Sequence, residues 1–263
     1  MSTFLIHAPI EMRAFNKWAG QRGLVWRGDL DEGFALHILL SEMFGQGAFK
    51  PFRMFSGQRR VTGSLYAYAD YDHEKATSVA EISGLPDSVE VLDPRNLRSK
   101  PLRTEFADGQ RLGFDVRVRP VRRLRHDVED SQSRRLLRKG AEIDAHRSEL
   151  LSYDSEGWKL TEESKRSKTP SRESSYFKWL TERLAGSAEI CPNTFRVASF
   201  SRTRIARGRG RASEGPDAVL NGNFIVSDPM KFTQCLRDGV GRHKSYGYGM
   251  LLLRPPGTRP FNR

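Results

Sequence analysis

Gln110-Arg111-Leu112-Gly113-Phe114-Asp115-Val116-Arg117-Val118-Arg119 is the stretch on which the fold reading turns. Leu112, Phe114, Val116 and Val118 fall on one parity, and Arg111, Asp115, Arg117 and Arg119 on the other. A period of two puts the first set on one face of a β-strand and the second on the opposite face. Working back from it, residues 3–10 read as a buried strand, followed over 11–27 by a polar, partly helical connection. Residues 31–44 begin acidic and place Leu36, Leu39, Leu40, Met43 and Phe44 at helical spacing, a helix with one buried face that Gly45 and Gly47 end. Residues 49–55 and 61–68 read as strands joined by the turn Ser56-Gly57-Gln58. Residues 72–82 read as a second helix, stopped by Gly84 and Pro86.

Strand, helix, strand, strand, helix, strand is the ferredoxin-like, split-βαβ order that RNA-recognition domains share, here closed by the quoted strand. The first domain is therefore set at 1–121. Residues 122–172 change composition to Arg, Lys, Ser, Asp and Glu, with few apolar residues. They read as a charged helical hairpin inserted ahead of the second domain, with a flexible Ser/Lys/Pro run over 164–175. A partly disordered linker is the alternative reading of that composition. Beyond it come a helix (175–185), a strand (194–204), the basic loop 207–211, a strand (218–226), a helix (229–237) and a last strand (250–253). This order makes 122–263 a second, irregular copy of the first domain. The fold class is α+β, two tandem ferredoxin-like domains.

Composition narrows the function classes. Lys and Arg total 44 against 32 Asp and Glu, a net charge of +12 in 263 residues, and arginine offers the planar donor fork that suits phosphate. No apolar run approaches the roughly 20 residues of a membrane-spanning helix, so nucleic acid is the expected partner and a membrane is not. Cys191 and Cys235 are too few for a disulfide framework and have no metal-ligand spacing, as expected of a reducing, cytoplasmic setting with no metal.

The most informative segment is Gly239-Val240-Gly241-Arg242-His243-Lys244-Ser245-Tyr246-Gly247-Tyr248-Gly249. Its glycines allow close backbone approach and positive φ. Arg242, His243 and Lys244 set cations among exposed amides as a phosphate cradle, and Tyr246 and Tyr248 are candidates to stack on bases. Continued through Met250 and Leu251, the run resembles the C-terminal glycine-rich loop of CasE-like CRISPR RNA endonucleases of the RAMP superfamily. That loop has a G-[IV]-G start, a central lysine, a G-x-G and then leucines. Gly109 to Leu112 with Val116 to Pro120 resembles the strand and Arg-rich turn that close the family's first domain. Ala35-Leu36-His37-Ile38-Leu39-Leu40 resembles the helix segment carrying its active-site histidine. The insertion and altered residues mark a divergent member, of type IV or type I-E variety.

The resemblance implies two tandem ferredoxin-like domains and a metal-independent endoribonuclease without cofactor. It would cleave CRISPR repeat RNA to mature crRNA, stay on the crRNA hairpin, and work beside other subunits of a CRISPR effector complex. The RNA 2′-hydroxyl attacks its own phosphate, which needs a base, an acid for the leaving 5′-oxygen, and cations for the charge on phosphorus. His37 is the first candidate for acid or base, since imidazole titrates near pH 6.5, although a purely structural helix position is the competing reading. The family often has a tyrosine one turn earlier, where this chain has Phe34. Arg242 and His243 also depart from the family's small or apolar residues. His243 is expected to supply a titrating group, and Arg242 to stabilise the phosphorane with Arg22 or Arg27. Lys244 matches the family's lysine and is expected on a phosphate. Arg117, Arg119, Arg122 and Arg123, with Arg202, Arg204, Arg207, Arg209 and Arg211, are candidates to grip the hairpin backbone. The runs 134–139 and 165–172 read as solvated faces. Two other functions fit the sequence: a non-catalytic crRNA-binding subunit that nucleates a ribonucleoprotein, and a general basic RNA-binding protein.

Overall fold

The computed structural model describes residues 3–26, 28–57, 61–130, 135–156, 169–207 and 211–258. The first half runs β1 (Phe4–Glu11), α1 (Met12–Gln21), β2 (Val25–Trp26), β3 (Asp29–Leu30), α2 (Glu32–Phe44), β4 (Phe52–Phe55), β5 (Thr62–Ala69), α3 (His73–Ser83), α4 (Pro86–Val91) and β6 (Arg98–Pro101). Asp31 starts α2 by accepting from the Phe34 amide at 3.0 Å. The helix then buries Ala35, Leu36, Leu39, Leu40 and Met43 against Ile6, Ala8, Ile10, Leu65 and Ala67 of the sheet. Its strands lie in the order β4-β5-β1-β6, every pair antiparallel.

The second half runs β7 (Arg111–Val118), β8 (Val121–Arg123), β9 (Val128–Asp130), β10 (Arg135–Leu137), β11 (Glu142–Asp144), α5 (Ala145–Glu156), α6 (Arg172–Leu184), β12 (Ala188–Ile190), β13 (Arg196–Arg207), β14 (Arg211–Val226), α7 (Pro229–Asp238) and β15 (Leu251–Arg254). Its sheet has the order β12-β14-β7-β15, with β13 also paired to β14. Leaving aside β13, the strands of each sheet run, by chain order, second, third, first, fourth. The two ferredoxin-like repeats that the sequence implies are both present.

Four details differ from the sequence reading. The quoted alternating strand, β7, does not close the first sheet. It pairs with β14 and β15 and so founds the second, which moves the hand-over between sheets from 121 to between Pro101 and Arg111. The strand that closes the first sheet is β6, Arg-Ser-Lys-Pro, paired with β1 from Phe4↔Pro101 to His7↔Arg98. Pro86 opens α4 as well as following α3, as a proline at a helix's first position does. The insertion is not a helical hairpin in its first part: β8 pairs with β11 and β9 with β10, and only then does α5 follow. Within the run read as flexible, Ser171 caps α6 on the Ser174 amide at 3.0 Å, and residues 157–168 lie outside the described residues.

The two sheets are joined by buried polar bonds. Arg53 on β4 and Asp115 on β7, 4% and 2% exposed, form an ion pair. The Tyr68 hydroxyl on β5 donates to the Leu251 carbonyl on β15 at 2.6 Å. Satisfied in this way, polar groups on facing strands fix one relative placement of the sheets. The glycine-rich segment between α7 and β15 lies against this junction, its Gly247 Cα beside Phe52 and its Gly239 beside Pro51.

Candidate active site

The loop of residues 239–249 owes its shape to five positive φ angles, 71° at Gly239, 79° at Gly241, 62° at His243, 80° at Gly247 and 81° at Gly249. A Cβ on Gly241 would come within 2.9 Å of the Trp179 ring, and one on Gly249 would collide with the Val240 carbonyl. The Val240 amide donates to the Gly249 carbonyl at 2.8 Å, closing the loop at its base. Among the described residues, His243 is the one non-glycine with positive φ, a conformation that L side chains rarely adopt without surrounding constraint. Lys244–Tyr246 then form a single 3-10 turn.

That turn meets α2. A Cβ on Gly33 would collide with the Tyr246 carbonyl, so only glycine allows the first turn of α2 to approach this closely. The Tyr246 ring is thereby set 5.2 Å from His37, edge-on at 73°, and 6.2 Å from His243. One phenol ring carries both imidazoles. Burial, and then the charge of Lys50, lowers the His37 pKa from 6.5, so its ring is neutral at pH 7.

Beside it opens a cleft of about 560 Å³, lined by Lys50, Arg123, Glu142, Arg242, His243 and Lys244 among others. His37 sits in a narrow recess that shares Lys50 and Ser245 with this cleft. Arg242 Nε is 2.9 Å from Glu142 Oε1, and His243 Nε2 is 3.4 Å from Glu142 Oε2. The Lys244 ammonium donates to the Gly239 carbonyl at 3.3 Å. A second cleft, about 350 Å³, shares Glu142 and His243 with the first and extends past Arg119, Arg135, Arg147 and Arg202.

Of the expected catalytic residues, His37, Arg242 and His243 are brought together and Arg22 is not. Arg22 caps α1, donates to Asp87 at 2.6 Å and to Glu42 at 3.2 Å, and lies over the Trp18 ring at 4.4 Å. The connection after β1 is a helix with its own ion triad, rather than an arm toward the loop. Arg27 and Arg209 lie outside the described residues.

The expected RNA contacts divide. Lys244 and Arg123 line the first cleft, and Tyr246 is committed to the two histidines rather than open for stacking. Tyr248 is 4% exposed and cannot stack on a base; its hydroxyl donates to Asp217 at 3.1 Å. Arg117 makes two bonds to Asp217, of 3.0 and 2.6 Å, and covers the Tyr248 ring. Arg119 is 3% exposed and bonded to Thr203, so both arginines brace the strand instead of reaching outward. Arg122 is held by Glu182 at 2.7 Å. Arg202 and Arg204 are exposed on β13, Arg202 beside Glu214. Arg207 and Arg211 are register partners at the end of the β13–β14 pairing, and the rest of the expected basic loop, residues 208–210, lies outside the described residues.

Sequence reasoning missed Lys50 and Glu142. Lys50 precedes β4 and gives no local signal. Glu142 lies in a stretch so rich in both charges that a carboxylate there reads as solvated, although it is only 11% exposed.

The family described as CRISPR associated protein matches residues 3–255. The fold is similar to that of a CRISPR endoribonuclease Cse3 bound to a 19-nucleotide RNA (TM-score 0.58, 17% identity, 97% of this chain and 100% of that chain). It is likewise similar to Thermus thermophilus Cse3 bound to an RNA representing a pre-cleavage complex (0.56, 17%, 97% and 100%). A chain of a CRISPR RNA-guided surveillance complex in a pre-nicking state matches at 0.50 and 17%, over 96% of this chain and 99% of that one. The comparison with curated proteins found no match.

Proposed function

The chain belongs to the CRISPR associated protein family, which it matches over residues 3–255, and from that premise we propose that it is a CasE-like endoribonuclease that cuts CRISPR repeat RNA without a metal ion. The observation that carries the reading is the pairing of His37 and His243 on the Tyr246 ring at the edge of a cleft lined by Lys50, Arg123, Arg242 and Lys244. It has the parts that internal phosphoryl transfer needs: a neutral imidazole, a second titrating group and a ring of cations.

In this reading His37, kept neutral by burial and Lys50, takes the proton of the 2′-hydroxyl. The 2′-oxygen forms its bond to phosphorus, and the bond from phosphorus to the 5′-oxygen breaks. His243 delivers the proton to that 5′-oxygen. Arg242 and Lys244 take the charge that develops on the phosphoryl oxygens, Arg242 through its planar fork. The products are a 2′,3′-cyclic phosphate and a 5′-hydroxyl. Arg123, Arg202 and Arg204 hold the backbone of the hairpin, a contribution that weakens steeply with salt. The protein stays on the cut RNA and joins other subunits of a CRISPR ribonucleoprotein, as the likeness to a chain of a surveillance complex supports.

A second reading rests on Glu142. Because it engages both Arg242 and His243, the same cleft also suits a crRNA-binding subunit that does not cut. Incubating the purified protein with cognate repeat RNA in EDTA, beside the same RNA carrying a 2′-deoxyribose at the cut site, separates the two. Cutting of the first and not the second supports the endoribonuclease. Tight binding with no product from either supports the binding subunit.

A further inference from the structure

Among the described residues, Glu142 is the carboxylate of a cleft lined also by Lys50, Arg123, Arg242, His243, Lys244, Ser245 and Tyr246, and it comes from β11 of the inserted segment. Its two oxygens reach different partners: Oε1 lies 2.9 Å from Arg242 Nε and 3.7 Å from Arg123 Nε, and Oε2 lies 3.4 Å from His243 Nε2. β11 is itself anchored, since Ile143 pairs with Arg122 and Asp144 with Val121 on β8. The carboxylate is therefore presented from a fixed strand, while Arg242 is 44% exposed on a loop.

We propose that Glu142 is a positioning residue for phosphate, joining the insertion to the glycine-rich loop so that Arg242 and His243 point into the cleft together. Two physical arguments carry this. Like charges crowded into one cleft repel, and a carboxylate among them offsets the repulsion before any RNA arrives. Ion-paired with Arg242, 2.9 Å from its Nε, Glu142 also holds the guanidinium at the cleft, where its planar fork suits a phosphate oxygen. The arrangement gives the insertion a role in the site, as the support of its phosphate-binding arginine.

This inference rests on the cleft being the phosphate site of the proposed function, and its test uses binding so that it does not depend on cutting. The probe is cognate repeat RNA with 2′-fluoro groups at every ribose, which keeps the A-form hairpin and removes the nucleophile. Affinity is measured for the whole protein and for Glu142→Ala, Glu142→Gln, Arg242→Ala and the double variant Glu142→Ala with Arg242→Ala. Positioning predicts that Glu142→Ala weakens binding about tenfold, the scale of a lost charge-assisted contact. It also predicts that Glu142→Gln, which lacks the charge that pairs with Arg242 and offsets its neighbours, shows a comparable loss, and that Glu142→Ala costs nothing further once Arg242 is alanine. Unchanged or tighter binding by Glu142→Ala overturns the proposal, as does an equal loss in the Arg242→Ala background. Should Glu142→Ala fail to fold, Arg242→Lys, which keeps the charge without the fork, is predicted to show the same loss, and full affinity there overturns it. If the wild-type protein binds but never cuts native repeat RNA, the endoribonuclease reading fails while Glu142 is still judged on these affinities.

Discussion

His37 on α2 meets Tyr246 of the glycine-rich turn edge-on, ring centroids 5.2 Å apart, so a helix of the first repeat and a loop of the second share one aromatic contact. The proposed reacting groups are split between repeats, and on this proposal the site exists only when the two sheets are docked.

If His37 is the base, the cleavage rate must fall as pH drops through its pKa, because protonated imidazole cannot accept a proton. Burial and then Lys50 lower that pKa, so the midpoint of this limb is expected below pH 6.5. His37→Ala should slow single-turnover cutting about 100-fold with little change in RNA affinity. Lys50→Met should move the limb toward higher pH, since it removes one of the two influences that depress the pKa. A pH–rate profile of the three proteins decides, and an unshifted limb in His37→Ala would rule out the imidazole as its source.

Gly33→Ala probes the helix–loop approach without touching a reacting group. The added methyl would strike the Tyr246 carbonyl, forcing α2 and the turn apart. A displacement of this kind is expected to cost roughly tenfold or more in cutting rate, with the fold retained by circular dichroism. Wild-type cutting by this variant would show that the contact does not set the site.

Arg22, by contrast, belongs to stability. With partners Asp87 and Glu42 and its plane over Trp18, Arg22→Ala should lower unfolding free energy by about 1 kcal/mol and leave the cutting rate unchanged below the melting range. Thermal unfolding and single-turnover kinetics on the same preparation check both halves.

Tyr248 makes the matching case on the loop. Tyr248→Phe removes a bond to buried Asp217 and should destabilise the protein by roughly 1–2 kcal/mol without altering RNA affinity. A drop in affinity at full stability would restore a base-stacking role.

How legible this was in the sequence depended on whether each signal was local. α2 announced itself because its cap, its apolar spacing and its ending glycine lie within fifteen consecutive positions. β7 was legible as a strand but not as to its partners. Alternation reports which residues share a face, and here Asp115 on the polar face is itself buried, in its ion pair with Arg53 of the other sheet. β6 was illegible because Arg98, Ser99, Lys100 and Pro101 carry no hydrophobic pattern; an edge strand with a proline needs none. In the site, His37, Arg242, His243 and Lys244 stood out by residue type beside a glycine-rich run. Arg117 and Tyr248 looked equally available there, and Asp217, about 100 positions from the first of them, decided otherwise. Glu142 had no signal at all, since its partners lie across the fold.

The central claim, that RNA is cut by its own 2′-hydroxyl, is tested most directly by the mass of the product ends formed in EDTA. The account predicts an upstream fragment ending in a 2′,3′-cyclic phosphate and a downstream fragment with a 5′-hydroxyl. A 3′-hydroxyl paired with a 5′-phosphate would mean that water attacked instead, and an uncut RNA bound to the protein would mean that it does not cut at all; either contradicts the claim.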